Sequence, residues 1–180
     1  MFLSVFLSLT TLFASHAHGA VAGEGDCIFP LGKYGMLNLT AAYNTVFRIE
    51  RDAKTCNGAS KAEYAFQLAL CGSIPDSALP KLSNCHDSVA CQSWGVGPAQ
   101  DASLGNPLDA AFVFDPSTNS TKMAATGGTI GRQMELMLSC PSAKNPAQDV
   151  PCFITEDPTS TLYKFAFSHP LGCLVPNPSQ

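Results

Sequence analysis

Residues 132–140 read Arg132-Gln133-Met134-Glu135-Leu136-Met137-Leu138-Ser139-Cys140, and this stretch decides the fold class. Met134, Leu136 and Leu138 recur with a period of two. A strand sends successive side chains to opposite faces, so the pattern predicts a strand with one buried face. By parity Arg132 and Cys140 lie on that same face. Other stretches repeat the pattern. Tyr163, Phe165 and Phe167 share a face over residues 163–167, and Tyr64, Phe66, Leu68 and Leu70 do so over 62–71. Tyr43, Thr45, Phe47 and Ile49 follow over 43–50, and residues 111–114 form a short apolar run. Segments 74–80, 95–107, 126–131 and 141–151 are rich in Gly and Pro and read as loops. No segment has the period of a long amphipathic helix. The expected fold is therefore all-β: a flattened antiparallel barrel or sandwich of short strands, stapled by disulfides.

The whole chain has 180 residues, one ordinary domain by length, with a formal net charge of -4. Charged residues make up 13% of it, against roughly 25% in an average globular protein. So few Lys and Arg, with a pI near 5.4, give no basic surface for nucleic acid. Part of the apolar content is local. Residues 2–14 are apolar apart from Ser and Thr, no acid precedes Glu24, and small residues follow at Ala17, Gly19, Ala20 and Ala22. That is the pattern of a secretory signal peptide, expected over 1–19. The run is short for a membrane span, and no later stretch reaches the roughly 20 residues one needs. A domain over 27–173 and a tail over 174–180 complete the expected organisation.

All 8 Cys lie behind the leader: Cys27, Cys56, Cys71, Cys85, Cys91, Cys140, Cys152 and Cys173. An even count in this setting reads as a disulfide framework in an oxidising compartment, the secretory lumen or outside the cell. Zinc sites need close pairs such as Cys-x-x-Cys, which are absent; Cys85-His86 near Cys91 is the one weak hint of a metal. No metal and no cofactor is expected. The triplets Asn38-Leu39-Thr40 and Asn119-Ser120-Thr121 are N-glycosylation sequons and agree with the same compartment.

Arg132 and Tyr163 each open a strand on its apolar face. A polar tip facing inward is costly without a partner. Two readings are open on the residues alone. One is a ligand pocket at the mouth of a barrel; the other is a frayed strand end in solvent.

From Cys27 to Cys173 the order of features resembles the mannose 6-phosphate receptor homology (MRH) domains, in particular a repeat of the cation-independent mannose 6-phosphate receptor. The matching pieces are the segment from Tyr34 to Thr40, the aromatic strand from Tyr64 to Cys71, and the short loop Cys85 to Cys91 followed by Gln92. They continue with Ser103-Leu104-Gly105, the Arg-led strand from Gly131-Arg132 to Cys140, and Glu156, Tyr163-Lys164-Phe165 and Gly172-Cys173. The resemblance implies disulfides Cys27–Cys71, Cys140–Cys173 and Cys85–Cys91, leaving Cys56 and Cys152 as the remainder. It implies a mannose site made of Gln92, Arg132, Glu156 and Tyr163, with Asp149 or Asp157 as substitutes for the Glu. The chain departs from the pattern in lacking a Cys just before the Arg-led strand and another beside the Tyr. The 126–131 loop has neither Asp nor His, which weakens phosphate recognition, although its glycines offer backbone N–H groups to an anion.

The quartet suits a sugar. A hydroxyl both donates and accepts; Arg only donates, ionised Glu only accepts, and Gln and Tyr do both. The resemblance therefore implies a lumenal or secreted lectin for mannose-type N-glycans, the phosphorylated form among them, in glycoprotein sorting or quality control. Mannose-bearing glycoproteins would be the partners; the oligomeric state is open. The alternative is an MRH-fold trafficking or protein-interaction module that binds no sugar. An enzyme is not expected. Only His86 and His169 lie beyond the leader, and the adjacent Glu156 and Asp157 are ill placed to flank a sugar as a glycosidase pair. Trp94, close to Gln92, suits either stacking on a sugar or anchoring a loop.

Overall fold

The computed structural model describes residues 27–95 and 100–178. The expected leader over 1–19, the loop residues Gly97 and Pro98, and the last two residues of the tail lie outside the described residues.

Among the described residues eleven strands follow one another: β1 (Ile28–Pro30), β2 (Met36–Asn38), β3 (Val46–Ile49), β4 (Ala65–Ala69), β5 (Ala90–Ser93), β6 (Asp101–Gly105), β7 (Ala111–Asp115), β8 (Ser120–Ala125), β9 (Gln133–Ser139), β10 (Cys152–Asp157) and β11 (Leu162–Ser168). Among the described residues the only helical elements are short 3-10 turns. β3-β4-β5-β6 form one sheet and β10-β11-β9-β8-β7 another, with β1-β2 a separate ribbon. The two larger sheets are not joined into a closed barrel; the molecule is a sandwich.

Alternation builds its core. Tyr163, Phe165 and Phe167 of β11 and Met134, Leu136 and Leu138 of β9 are all buried. They meet Phe66 of β4 and Phe47 of β3 across the sandwich: Phe66 to Phe165 is 5.2 Å between ring centroids and Phe47 to Phe167 is 4.9 Å. Burying each such side chain contributes about 1.5–3 kcal/mol. The β1-β2 ribbon packs over β7, with Phe29 stacked on Phe112 at 4.0 Å.

Two expectations are corrected. Segment 95–107, read as a loop, contains β6; its carboxylate Asp101 is buried and held by the Ser83 hydroxyl and the Asn84 N–H, so polarity there marks satisfied burial. The sheets are not wholly antiparallel either, because β9 and β11 run parallel. After β9 the chain crosses to lay β10 at the sheet edge, and β11 turns back into the gap between β10 and β9. Insertion into that gap forces β11 to run with β9.

The disulfides are Cys27–Cys71, Cys56–Cys152, Cys85–Cys91 and Cys140–Cys173, and among the described residues no cysteine is free. Cys85 and Cys91, close to Asp101, are bonded to each other and so are not thiolates for a metal.

Candidate functional site

Parallel pairing decides what stands at each end of the β9–β11 pair. Both strands begin at the same end, with Leu162 opposite Gln133 and Tyr163 opposite Met134. Arg132, just before β9, is thereby brought level with the start of β11. Antiparallel pairing with β10 sets Glu156 directly opposite Tyr163. The β10–β11 hairpin sets Glu156 beside Tyr163, and the parallel pairing brings Arg132, from a distant segment, to the same end.

Their contacts follow. The Tyr163 hydroxyl donates to Glu156 Oε1 at 2.7 Å. Tyr163 is buried, with 2% of its surface exposed. Burial first, and then the Glu156 carboxylate, hold its phenol pKa above the ordinary value, while the Arg132 guanidinium against it pulls the other way. Tyr163 is thus a neutral donor through the physiological range. Arg132 donates from Nη1 to the Thr129 carbonyl at 3.0 Å, but its buried Nε has no partner.

Gln92 belongs to the opposite sheet. On β5 it stands opposite Phe66 of β4 and Ala102 of β6, so it shares their face. Phe66 turns that face toward Tyr163, at 6.2 Å between ring centroids. Gln92 is 3% exposed, and its Oε1 also has no partner. Tyr163 and Glu156 thus form a bonded pair, and Arg132 is near enough to act on the Tyr163 phenol. Gln92 faces the same interior through Phe66 without a bond to any of the three.

The loop before Arg132 is shaped by close approach to the opposite sheet. Thr129 Oγ1 accepts from the Ser103 N–H of β6 at 3.1 Å. A Cβ on Gly128 would stand 2.5 Å from the Ser103 carbonyl oxygen, so only glycine fits there. Ile130 is held at φ 56, a region that costs a β-branched residue energy, and is 87% exposed.

The substitutes for Glu156 lie elsewhere. Asp157 accepts from the Thr159 N–H and the Ser160 hydroxyl, bonds that close the β10–β11 turn and, with Ser160 foremost, lower its pKa. Asp149 is exposed and lines a groove along β3. Tyr64 was legible in the sequence only as a core-facing strand residue. By register it stands level with Trp94, just past the Ala65–Ser93 pair, and it feels the same charges. Burial, then Glu63 and Glu156, raise its pKa, and Arg132 lowers it. Trp94 is 39% exposed; its N–H donates to the Gln100 carbonyl, and its own carbonyl accepts from Arg51.

The fold has a counterpart among solved structures. Chicken IGF2R domain 11, from the cation-independent mannose 6-phosphate receptor, superposes with a TM-score of 0.52 over 82% of this chain and 91% of that one. This is an MRH-type fold. Identity over the match is 16%, so the likeness lies in the architecture. No family model and no curated protein sequence matches the chain. Among the described residues, no helix is long and apolar enough to cross a membrane.

Proposed function

We propose that this MRH-type domain is a lumenal or secreted lectin that binds mannose-type N-glycans through Gln92, Arg132, Glu156 and Tyr163, and so serves glycoprotein sorting or quality control. Mannose-bearing glycoproteins are its partners. The observation that carries the reading is that two buried atoms of the quartet, Gln92 Oε1 and Arg132 Nε, lack a partner, while Glu156 and Tyr163 are bonded to each other. A buried polar group without a partner costs about 1–3 kcal/mol. A sugar hydroxyl relieves both kinds of debt, because it donates to Oε1 and accepts from Nε–H. If the Gln92 amide is turned over, the orphan becomes an N–H, and a hydroxyl serves it equally well.

Mannose offers an axial 2-hydroxyl and equatorial 3- and 4-hydroxyls, which suits donors and acceptors gathered at one spot. One sugar ring gives weak affinity to a single domain, and several rings on one glycoprotein raise the avidity. The disulfides and the fold fit the lumen or the exterior of the cell. Asn38 and Asn119 are exposed, and both are proposed to carry glycans, which a mass shift on amidase treatment would register.

A glycan array tests the reading. The purified protein should retain mannose-terminated glycans, and Arg132→Ala should lose about 1.5–3 kcal/mol of binding. That is roughly tenfold to a hundredfold or more in affinity. A folded Arg132→Ala protein that binds as tightly as the parent contradicts the site. A parent that binds no sugar makes the interaction module the better account.

A further inference from the structure

We infer that the outer edge of β3 is a pairing surface for a second copy of this chain, joined to it across a two-fold axis. The inference is independent of the lectin reading. β3 ends the four-stranded sheet, with β4 on one side and no strand on the other. The ladder fixes where its backbone points. Ala69 N–H donates to the carbonyl of Val89, the residue before β5, at 2.7 Å, so Ala69 turns its backbone groups away from β3. Val46 stands opposite Ala69, and in an antiparallel pair two residues that do not bond each other both turn outward. Val46 therefore points its N–H and C=O out of the sheet, and so does Arg48 two residues on. Among the described residues these groups and the Glu50 N–H have no partner. Such a row is a template for another strand.

Charge says which strand fits. Arg48 and Glu50 flank the buried Ile49, so they share the outer face of the sheet, and both are exposed. Among the described residues neither has an ion pair. A two-fold axis at Ile49 sets Arg48 of each copy directly opposite Glu50 of the other, two complementary pairs from one patch. Moving the axis to Arg48 sets two guanidinium groups face to face, and moving it to Phe47 forms no ion pair. The groove along β3, walled on its far side by residues 148–152, repeats the pattern. Asp149 follows Gln148, which bonds Ser168 at the end where Phe47 meets Phe167. Lys54 lies at the other end, beside the Cys56–Cys152 disulfide, where Phe153 stacks on Phe66 opposite Ile49. The axis exchanges the two ends, so Lys54 of each copy comes to the Asp149 end of the other. Both charges are exposed and, among the described residues, unpaired. A surface complementary to itself fits a second copy better than an unrelated strand.

The test is sedimentation velocity of the purified protein over a concentration series at low salt. The parent should show a reversible monomer–dimer equilibrium. Arg48→Glu and Glu50→Arg each turn both cross-strand pairs into like charges, so each protein alone should dimerise at least about tenfold more weakly. An equimolar mixture of the two restores opposite charges across the axis and should recover the dimer. The doubly swapped Arg48→Glu/Glu50→Arg protein keeps both pairs and should associate like the parent, which separates lost pairing from misfolding. A parent that is monomeric at every concentration overturns the inference. So does a dimer that neither single substitution weakens, or a mixture that associates no better than its components.

Discussion

Where β9 and β11 end, Cys140 is bonded to Cys173, and Gly172 lies so close to Ser139 that a Cβ would stand 2.6 Å from its carbonyl. His169 N–H donates to the Ser139 carbonyl at 3.0 Å, and Ser168 bonds Gln148 and Asn145 through its N–H and hydroxyl. Where the same two strands begin, Arg132 and Gln92 keep buried atoms unbonded, Ile130 is held at positive φ, and the glutamate–tyrosine bond stands near a guanidinium. One end is covalently closed and most of its polar groups are bonded, although the buried Thr121 hydroxyl, opposite Leu138, has no partner. The other stores unmet polarity and strain. Proteins tolerate such features where the surrounding structure over-determines them, and they cluster at binding sites. On the lectin reading proposed above, the closed end serves stability and the other end serves recognition.

Substitutions at the two ends should therefore move stability and binding in different ways. The largest effect belongs to the closed end. Replacing Cys140 and Cys173 together with Ser should remove about 2–5 kcal/mol of stability, read by denaturant unfolding, with sugar affinity unchanged in the molecules that remain folded. Gly172→Ala comes next. Its Cβ meets backbone, so Ser139 or the 170–172 turn must shift, at about 1–3 kcal/mol. A loss of binding without a loss of stability in either protein would break the comparison. The smallest effect has the opposite sign. Gln92→Met keeps the shape and removes the orphaned acceptor, so the empty domain should gain about 1 kcal/mol while losing affinity for the sugar. A less stable Gln92→Met protein would mean that Gln92 serves the fold.

The sequence made β4, β9 and β11 legible, because their buried faces are unbroken runs of large apolar residues at period two. It made the inward parity of Arg132 and Tyr163 legible for the same reason. β5 and β6 were not, since Ala90-Cys91-Gln92-Ser93 and Asp101-Ala102-Ser103 bury small or polar side chains whose partners come from distant segments. Nor was the parallel pairing of β9 with β11, which depends on where β10 lies rather than on any local pattern. That pairing is what sets Arg132 beside Tyr163. The placement of the candidate site was thus hidden in the topology, while its residue types were visible in the chain.

The most direct measurement is an NMR titration of the protein with methyl α-mannoside, following the Arg132 Nε–H and Gln92 side-chain amide signals. Arg132 Nε lacks a partner, as does the Gln92 Oε1 that the amide signals report on, and these are the atoms a hydroxyl would engage. The account predicts that both signals shift along one saturable curve, with signals at the Cys140–Cys173 end unmoved. Signals at Arg132 and Gln92 that stay still while the sugar binds elsewhere, or no saturable shift at any concentration, would contradict it.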